Sequence, residues 1–223
     1  MTHPQERHVT VDEYLQLEGR SVHQRHEYVR GRVYAMSPAR LAHQVIAGNL
    51  FSALHVRLRG GRCRAFMDGG RVRLEEADMY VYPDVTAVCG RVETEDRYGT
   101  ETILNPTLVA EVLSPSTERF DRRDKSDGYR QRATLREHLL LAQDRPRVER
   151  FLLDGDRWVP SVIEGLDAVL TLSSLGIEIP MAEVYENVDF AAAARRPRRV
   201  REREPLPLAL VLDPSYATAF TVR

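Results

Sequence analysis

The sequence has almost no lysine. Of its 32 basic residues, Lys125 is the one lysine and the other 31 are arginines. A general preference for arginine accounts for the loss of lysine but not for the retention of one. The two side chains are not equivalent: arginine is a planar fork that stays charged, whereas lysine is a compact point charge whose pKa moves when desolvated. The plain alternative is a surface lysine that survived the bias. Long apolar runs are also missing. None approaches the ~18 residues of a membrane span, and Met1 to Thr10 is polar, so neither a membrane span nor a signal peptide is expected. Cys63 and Cys89 lack metal-ligand spacing and are too few for a disulfide framework, which points to a reducing cytoplasm. Net charge is −1, so any contact with nucleic acid must come from local patches. No Ser/His/Asp order, glycine-rich phosphate loop or zinc spacing is present.

What is present is an alternation of short apolar strands and helices. With 223 residues, 43% of them hydrophobic, the chain can bury one sizeable core. Thr10-Val-Asp-Glu13 reads as a capping box opening a short helix to about Leu17. The alternation from Glu27 to Met36 around Arg30-Gly31 predicts a hairpin. Leu41 to Arg59 is the clearest helix, with Ile46, Leu50, Leu54 and Leu58 four apart and Gly60-Gly61 as its stop. Strands are expected at Arg64–Met67, Val72–Glu75, Tyr80–Val88 and Leu108–Leu113, then a helix over Asp121–Arg132. Further strands are expected at His138–Ala142, Val148–Leu153 and Arg157–Ile163, the last two joined by Asp154-Gly155. This order predicts an α/β domain over residues 1–190 around a central mixed sheet flanked by helices. Residues 191–223 are rich in alanine and arginine and then apolar without pattern, and are expected to be a poorly ordered or loosely docked extension.

Two acids sit where acids are costly. Asp84 interrupts the apolar run Met79 to Cys89, and Glu111 interrupts Thr107 to Leu113. A carboxylate within an apolar strand needs a partner or a metal. If the two strands are neighbours, the acids repel one another and a divalent cation removes the conflict. Oxygen ligands select hard ions such as Mg²⁺ (or Mn²⁺), which take one or two carboxylates together with substrate phosphate. The alternative for each acid alone is a strand-end salt bridge with an arginine.

Pro83-Asp84, Glu111-Val-Leu113 and Lys125 together resemble the proline-Asp, Glu-x-Lys nuclease superfamily. More narrowly, the chain resembles the Uma family of restriction endonucleases. The likeness rests on the hairpin Glu27 to Pro38, His43-Gln44, Tyr82-Pro-Asp84, Glu111-Val-Leu-Ser-Pro-Ser-Thr117, Asp124-Lys125 with Tyr129, and Glu137 to Arg150. It spans about residues 10 to 190. It implies a restriction-endonuclease-like fold and divalent-metal-dependent cleavage of DNA. Asp84, Glu111 and Lys125 would then be catalytic, and the metal would rest on Asp84, Glu111 and the Val112 backbone carbonyl. The usual lysine position, two after the glutamate, is Leu113 here. Alternate strand residues share a face, so Lys125 would have to reach that volume from the following helix, and Tyr129, four residues on, would accompany it. Where the family hairpin usually carries an acid, this chain has Arg30.

Glu27 and His43 are weaker candidates. Glu27 could hold a second metal or orient water, or else form a hairpin salt bridge. His43 could contact a DNA phosphate or position water, or else be structural. The leading reading is a metal-dependent DNA endonuclease, and the rival is a non-catalytic nucleic-acid or protein-binding module on the same fold. A Mg²⁺ phosphatase is more remote, for want of a further acidic cluster. Cutting both strands with one site per chain is most simply done by a symmetric pair, so a homodimer is expected.

Overall fold

The computed structural model describes residues 8–67, 70–193 and 203–216. Helix α1 (Val11–Arg20) opens on the expected capping box: Thr10 Oγ1 accepts from the Glu13 N–H and the Glu13 carboxylate from the Thr10 N–H. Strands β1 (His26–Val29) and β2 (Arg32–Ala35) then form a tight hairpin. Its turn residues, Arg30 and Gly31, both have positive φ, 48° and 80°, as a turn matched to strand twist requires. Helix α2 (Leu41–Leu58) follows, with Ile46, Leu50 and Leu54 fully buried along one stripe.

Strands β3 (Cys63–Met67), β4 (Arg71–Leu74) and β5 (Met79–Val81) lead to a break at Tyr82-Pro83-Asp84. Sequence alternation predicted one strand from Tyr80 to Val88. The structure divides it into β5 and β6 (Val85–Cys89), which belong to different sheets. Pro83 offers no N–H to a ladder, so the change of sheet falls where pairing is already weakened.

A hairpin of β7 (Thr94–Arg97) and β8 (Thr100–Ile103) precedes β9 (Leu108–Leu113). A helical stretch then runs in three pieces: α3 (Glu118–Phe120), a π-turn (Asp121–Lys125) and α4 (Ser126–Gln131). It returns the chain to β10 (Glu137–Ala142), which pairs with β9 in parallel and so needs such a crossover. Strands β11 (Arg147–Asp154) and β12 (Arg157–Glu164) form a long hairpin, and β13 (Val169–Leu172) pairs with β14 (Ile177–Pro180). Short helices α5 (Met181–Val184), α6 (Phe190–Ala193) and α7 (Leu208–Leu212) end the described chain.

The central mixed sheet expected from sequence is present, as two six-stranded mixed sheets. One has the order β2-β1-β5-β4-β8-β7 and the other β12-β11-β10-β9-β6-β3. The second sheet buries one face against α2, α5 and the β13–β14 pair, where Leu108, Ala110 and Val112 of β9 lie. Its other face meets β4, β5 and α4, where Val109 lies. Period-two alternation puts Glu111 on the Val109 side, between the layers.

Two expectations need correction. Cys63 and Cys89 are register partners on β3 and β6 and form a disulfide, so the cysteines offer no support for a reducing compartment. Residues 203–216, expected within the loosely docked extension, instead pack on the hairpin and α1. The Leu206 N–H donates to the Val33 carbonyl, and Val211 is buried among Tyr14, Leu15 and Leu17. Residues 194–202 and 217–223 lie outside the described residues. Among the described residues no helix is long and apolar enough to cross a membrane.

Candidate active site

Continuing the antiparallel β6–β9 register by one step from Val85↔Ala110 sets Asp84 across from Glu111. Asp84 is anchored at the sheet break: its Oδ2 accepts from the Val112 N–H at 2.7 Å and lies 3.2 Å from His43 Nε2. His43 stands in the first turn of α2, so the helix entry and the strand break meet at this carboxylate. Among the described residues no hydrogen bond is made by Asp84 Oδ1.

Lys125 enters from the π-turn. Its Nζ is 2.9 Å from Glu27 Oε1, 3.0 Å from Glu111 Oε1 and 3.6 Å from Asp121 Oδ1. Tyr129, one turn on, donates its hydroxyl to the same Glu111 Oε1 at 2.5 Å. A π-turn is an irregularity frequent at functional sites. Here it directs Asp121, Lys125 and, through α4, Tyr129 toward one point. Leu113, at the usual lysine position, is buried and apolar.

The third acid on Lys125, Glu27, lies on β1 and is fully engaged. Its Oε1 also accepts the Tyr82 N–H at 3.0 Å, and its Oε2 is 2.5 Å from Arg203 Nη1. The structure brings together Glu27, His43, Asp84, Glu111, Lys125 and Tyr129, the candidates named from the sequence, and adds Asp121 and Arg203, which were not among them. Asp121 carried one signal, its spacing of four before Lys125. Arg203 carried none.

Burial and charge oppose one another here. Burial alone would lower the Lys125 pKa, but Glu111, Glu27 and Asp121 outweigh it and hold the ammonium firmly protonated. For Glu27, burial is likewise overcome, by Lys125 and then Arg203, and its pKa falls to about 2. Glu111 goes the other way: burial dominates, Lys125 offsets only part of it, and Asp121, Asp84 and Glu27 add repulsion, so its pKa is raised. His43 is raised because the Asp84 carboxylate outweighs its burial.

The donor set suits a hard cation. Asp84 and Glu111 each commit one oxygen to the protein, and among the described residues Glu111 Oε2, like Asp84 Oδ1, carries no hydrogen bond. No three His, Cys, Asp or Glu side chains converge as a ready cage among the described residues. A magnesium-like ion does not require one, since it commonly takes one or two carboxylates and completes its shell with water and phosphate.

Two mixed sheets, a strand break bearing the aspartate, and a glutamate on the next strand define a restriction-endonuclease-like protein. Consistent with this, a crystal structure from Anabaena variabilis, described as "a putative nuclease belonging to DUF820", shares the fold. It superposes with a TM-score of 0.59 at 17% identity, over 72% of this chain and 89% of that one. Residues 11–182 match the Uma2 family, described as "Putative restriction endonuclease", and the chain belongs to that family. Two uncharacterized proteins of Synechocystis sp. are similar along most of their length. One is 33% identical over 82% of this chain and 94% of its own, and the other 31% identical over 76% and 95%.

Proposed function

We propose that this protein is a divalent-metal-dependent DNA endonuclease. The observation that supports this most is that the Val112 N–H of β9 anchors Asp84 at the head of β6, next to Glu111 and its buried lysine, and among the described residues each acid keeps one oxygen uncommitted. Asp84, Glu111 and the Val112 carbonyl would hold a Mg²⁺ or Mn²⁺ ion. Bound there, the ion would polarise a phosphodiester and help generate the attacking hydroxide. The chain's own residues supply the rest. The Val112 N–H and His43 fix the Asp84 carboxylate, Tyr129 and Lys125 fix Glu111, and the Lys125 ammonium offers positive charge where a phosphate gains negative charge.

A non-catalytic module on the same fold is favoured by one observation: Glu27, Glu111, Asp121 and Lys125 are at most 5% exposed. Against that closed core, Asp84 is 20% and His43 14% exposed, so one side of the pair stays open. The deciding experiment incubates purified protein with supercoiled plasmid and Mg²⁺ or Mn²⁺, with a chelator control, beside calorimetric titration of Mn²⁺. Metal-dependent nicking and a Mn²⁺ site lost in Asp84→Ala are expected. Unchanged Mn²⁺ affinity in that variant rejects the assignment.

A further inference from the structure

Arg203 lies beyond residue 182, where the family match ends. Its segment is fixed at two points, by the Leu206 N–H on the Val33 carbonyl and by Val211 among the α1 side chains. This carries the guanidinium into the site. Its carbon sits 5.1 Å from the Tyr34 ring centroid and 4.9 Å from that of Phe120, and Lys125 Nζ lies 5.8 Å from the same Phe120 ring. The side chain is 11% exposed, and its Nη2 is buried with no hydrogen-bond partner among the described residues. Glu27 and the two rings, rather than a full set of hydrogen bonds, therefore hold it. Charge decides its position.

Three of the four acids of the site, Asp84, Glu111 and Glu27, differ in what they have left. Among the described residues, Asp84 and Glu111 each retain an oxygen without a hydrogen bond. Glu27 retains none, because Oε1 serves Lys125 and Tyr82 and Oε2 serves Arg203. We infer that Arg203 is a tethered counter-ion standing at the oxygen where a second divalent cation would otherwise bind, so that this chain's site takes one metal ion rather than two. The inference rests on the metal-dependent reading above. A guanidinium stays charged at any working pH and is favoured in buried ion pairs. Held against two aromatic rings and tied by its own backbone, it competes with a free ion without the entropy cost of association. A cation at Oε2 would stand beside the Arg203 guanidinium on the same oxygen, and the repulsion of like charges at that distance sets the two in competition.

The test is a count of ions. Full-length protein, stripped with chelator, is titrated with Mn²⁺ alone by calorimetry and followed by electron paramagnetic resonance. One ion per chain is expected for the native protein and for Arg203→Lys. Two are expected for Arg203→Gln, with the spin-coupled signal of neighbouring ions, and one again for Arg203→Gln combined with Glu27→Gln. Two ions in the native protein, or one in a folded Arg203→Gln, overturns the inference while leaving the metal site standing. No ion in the native protein overturns the metal reading itself. Should Arg203→Gln fail to fold, Glu27→Gln alone decides: the native single ion is retained if Glu27 is not a ligand, and its loss refutes the inference.

Discussion

Lys125 neutralises three acids that the chain has taken out of water, and this gives two different predictions for its replacement. In Lys125→Met, Glu27, Glu111 and Asp121 lose their shared cation while still at most 5% exposed. Breaking a buried pair by removing one partner costs about 3–5 kcal/mol, which a urea denaturation at neutral pH would register; a loss under 1 kcal/mol would contradict it. Lys125→Arg keeps the charge but not the shape. It is expected to fold and to bind Mn²⁺, yet to lose about 10²-fold of cleavage rate, the scale of one electrostatic or acid–base contributor. Plasmid cleavage at the native rate would remove Lys125 from the chemistry. Lys125 was legible because it is the lone lysine. Asp121 was not, because it sits in the charged run from Glu118 to Lys125, where composition marks no residue as buried.

The helical stretch from 118 to 131 delivers Asp121, Lys125 and Tyr129 together, so its seat controls the site. Gly128 sets that seat. A Cβ there would stand 3.0 Å from Met79 Sδ, 3.2 Å from Ala77 Cβ and 3.3 Å from Leu74 Cδ1. Gly128→Leu is therefore expected to cost about 1–3 kcal/mol through overpacking and to slow cleavage more than it weakens DNA binding, since Lys125 and Tyr129 move. Equal plasmid cleavage by native and variant protein would show the helix position to be unimportant. At this scale the long helix α2, the Arg30-Gly31 turn and the Asp154-Gly155 hairpin were legible because each has a strong local signal. The β7–β8 and β13–β14 pairs were missed: Thr94–Arg97 is polar throughout, and both pairs are only four residues a strand.

For the molecule as a whole, acid sensitivity should trace to a residue outside the candidate site. His138 on β10 is fully buried against Tyr129 and Phe151, and neither ring nitrogen has a partner among the described residues. Burial, then Arg130 and Lys125, lowers its pKa from 6.5 to about 3. Below pH 6.5 the unfolded chain takes up a proton that the folded chain refuses. Its contribution to stability is thus full above 6.5 and falls by about 1.4 kcal/mol per pH unit toward 3. In His138→Leu the difference between urea midpoints at pH 7 and pH 5 should shrink. An unchanged difference would show that the histidine is not responsible. A homodimer remains the proposed assembly for double-strand cutting, and light scattering at micromolar concentration with and without DNA tests it.

The sequence by itself determined the local pieces: where α1 and α2 begin, where the β1–β2 and β11–β12 hairpins turn, and which acids sit inside apolar strands. Each depends on residues a few positions apart. It also determined that Asp84 and Glu111 would be costly if buried unpaired, because each has apolar neighbours on both sides. Only the tertiary structure decided that the run from Met79 to Cys89 divides between two sheets, and that Cys63 meets Cys89. It alone brought Asp121 and Arg203 into the site. Those outcomes depend on which surfaces pack together. Arg203 is one arginine of 31 until the Leu206 and Val211 contacts lay its segment over Glu27.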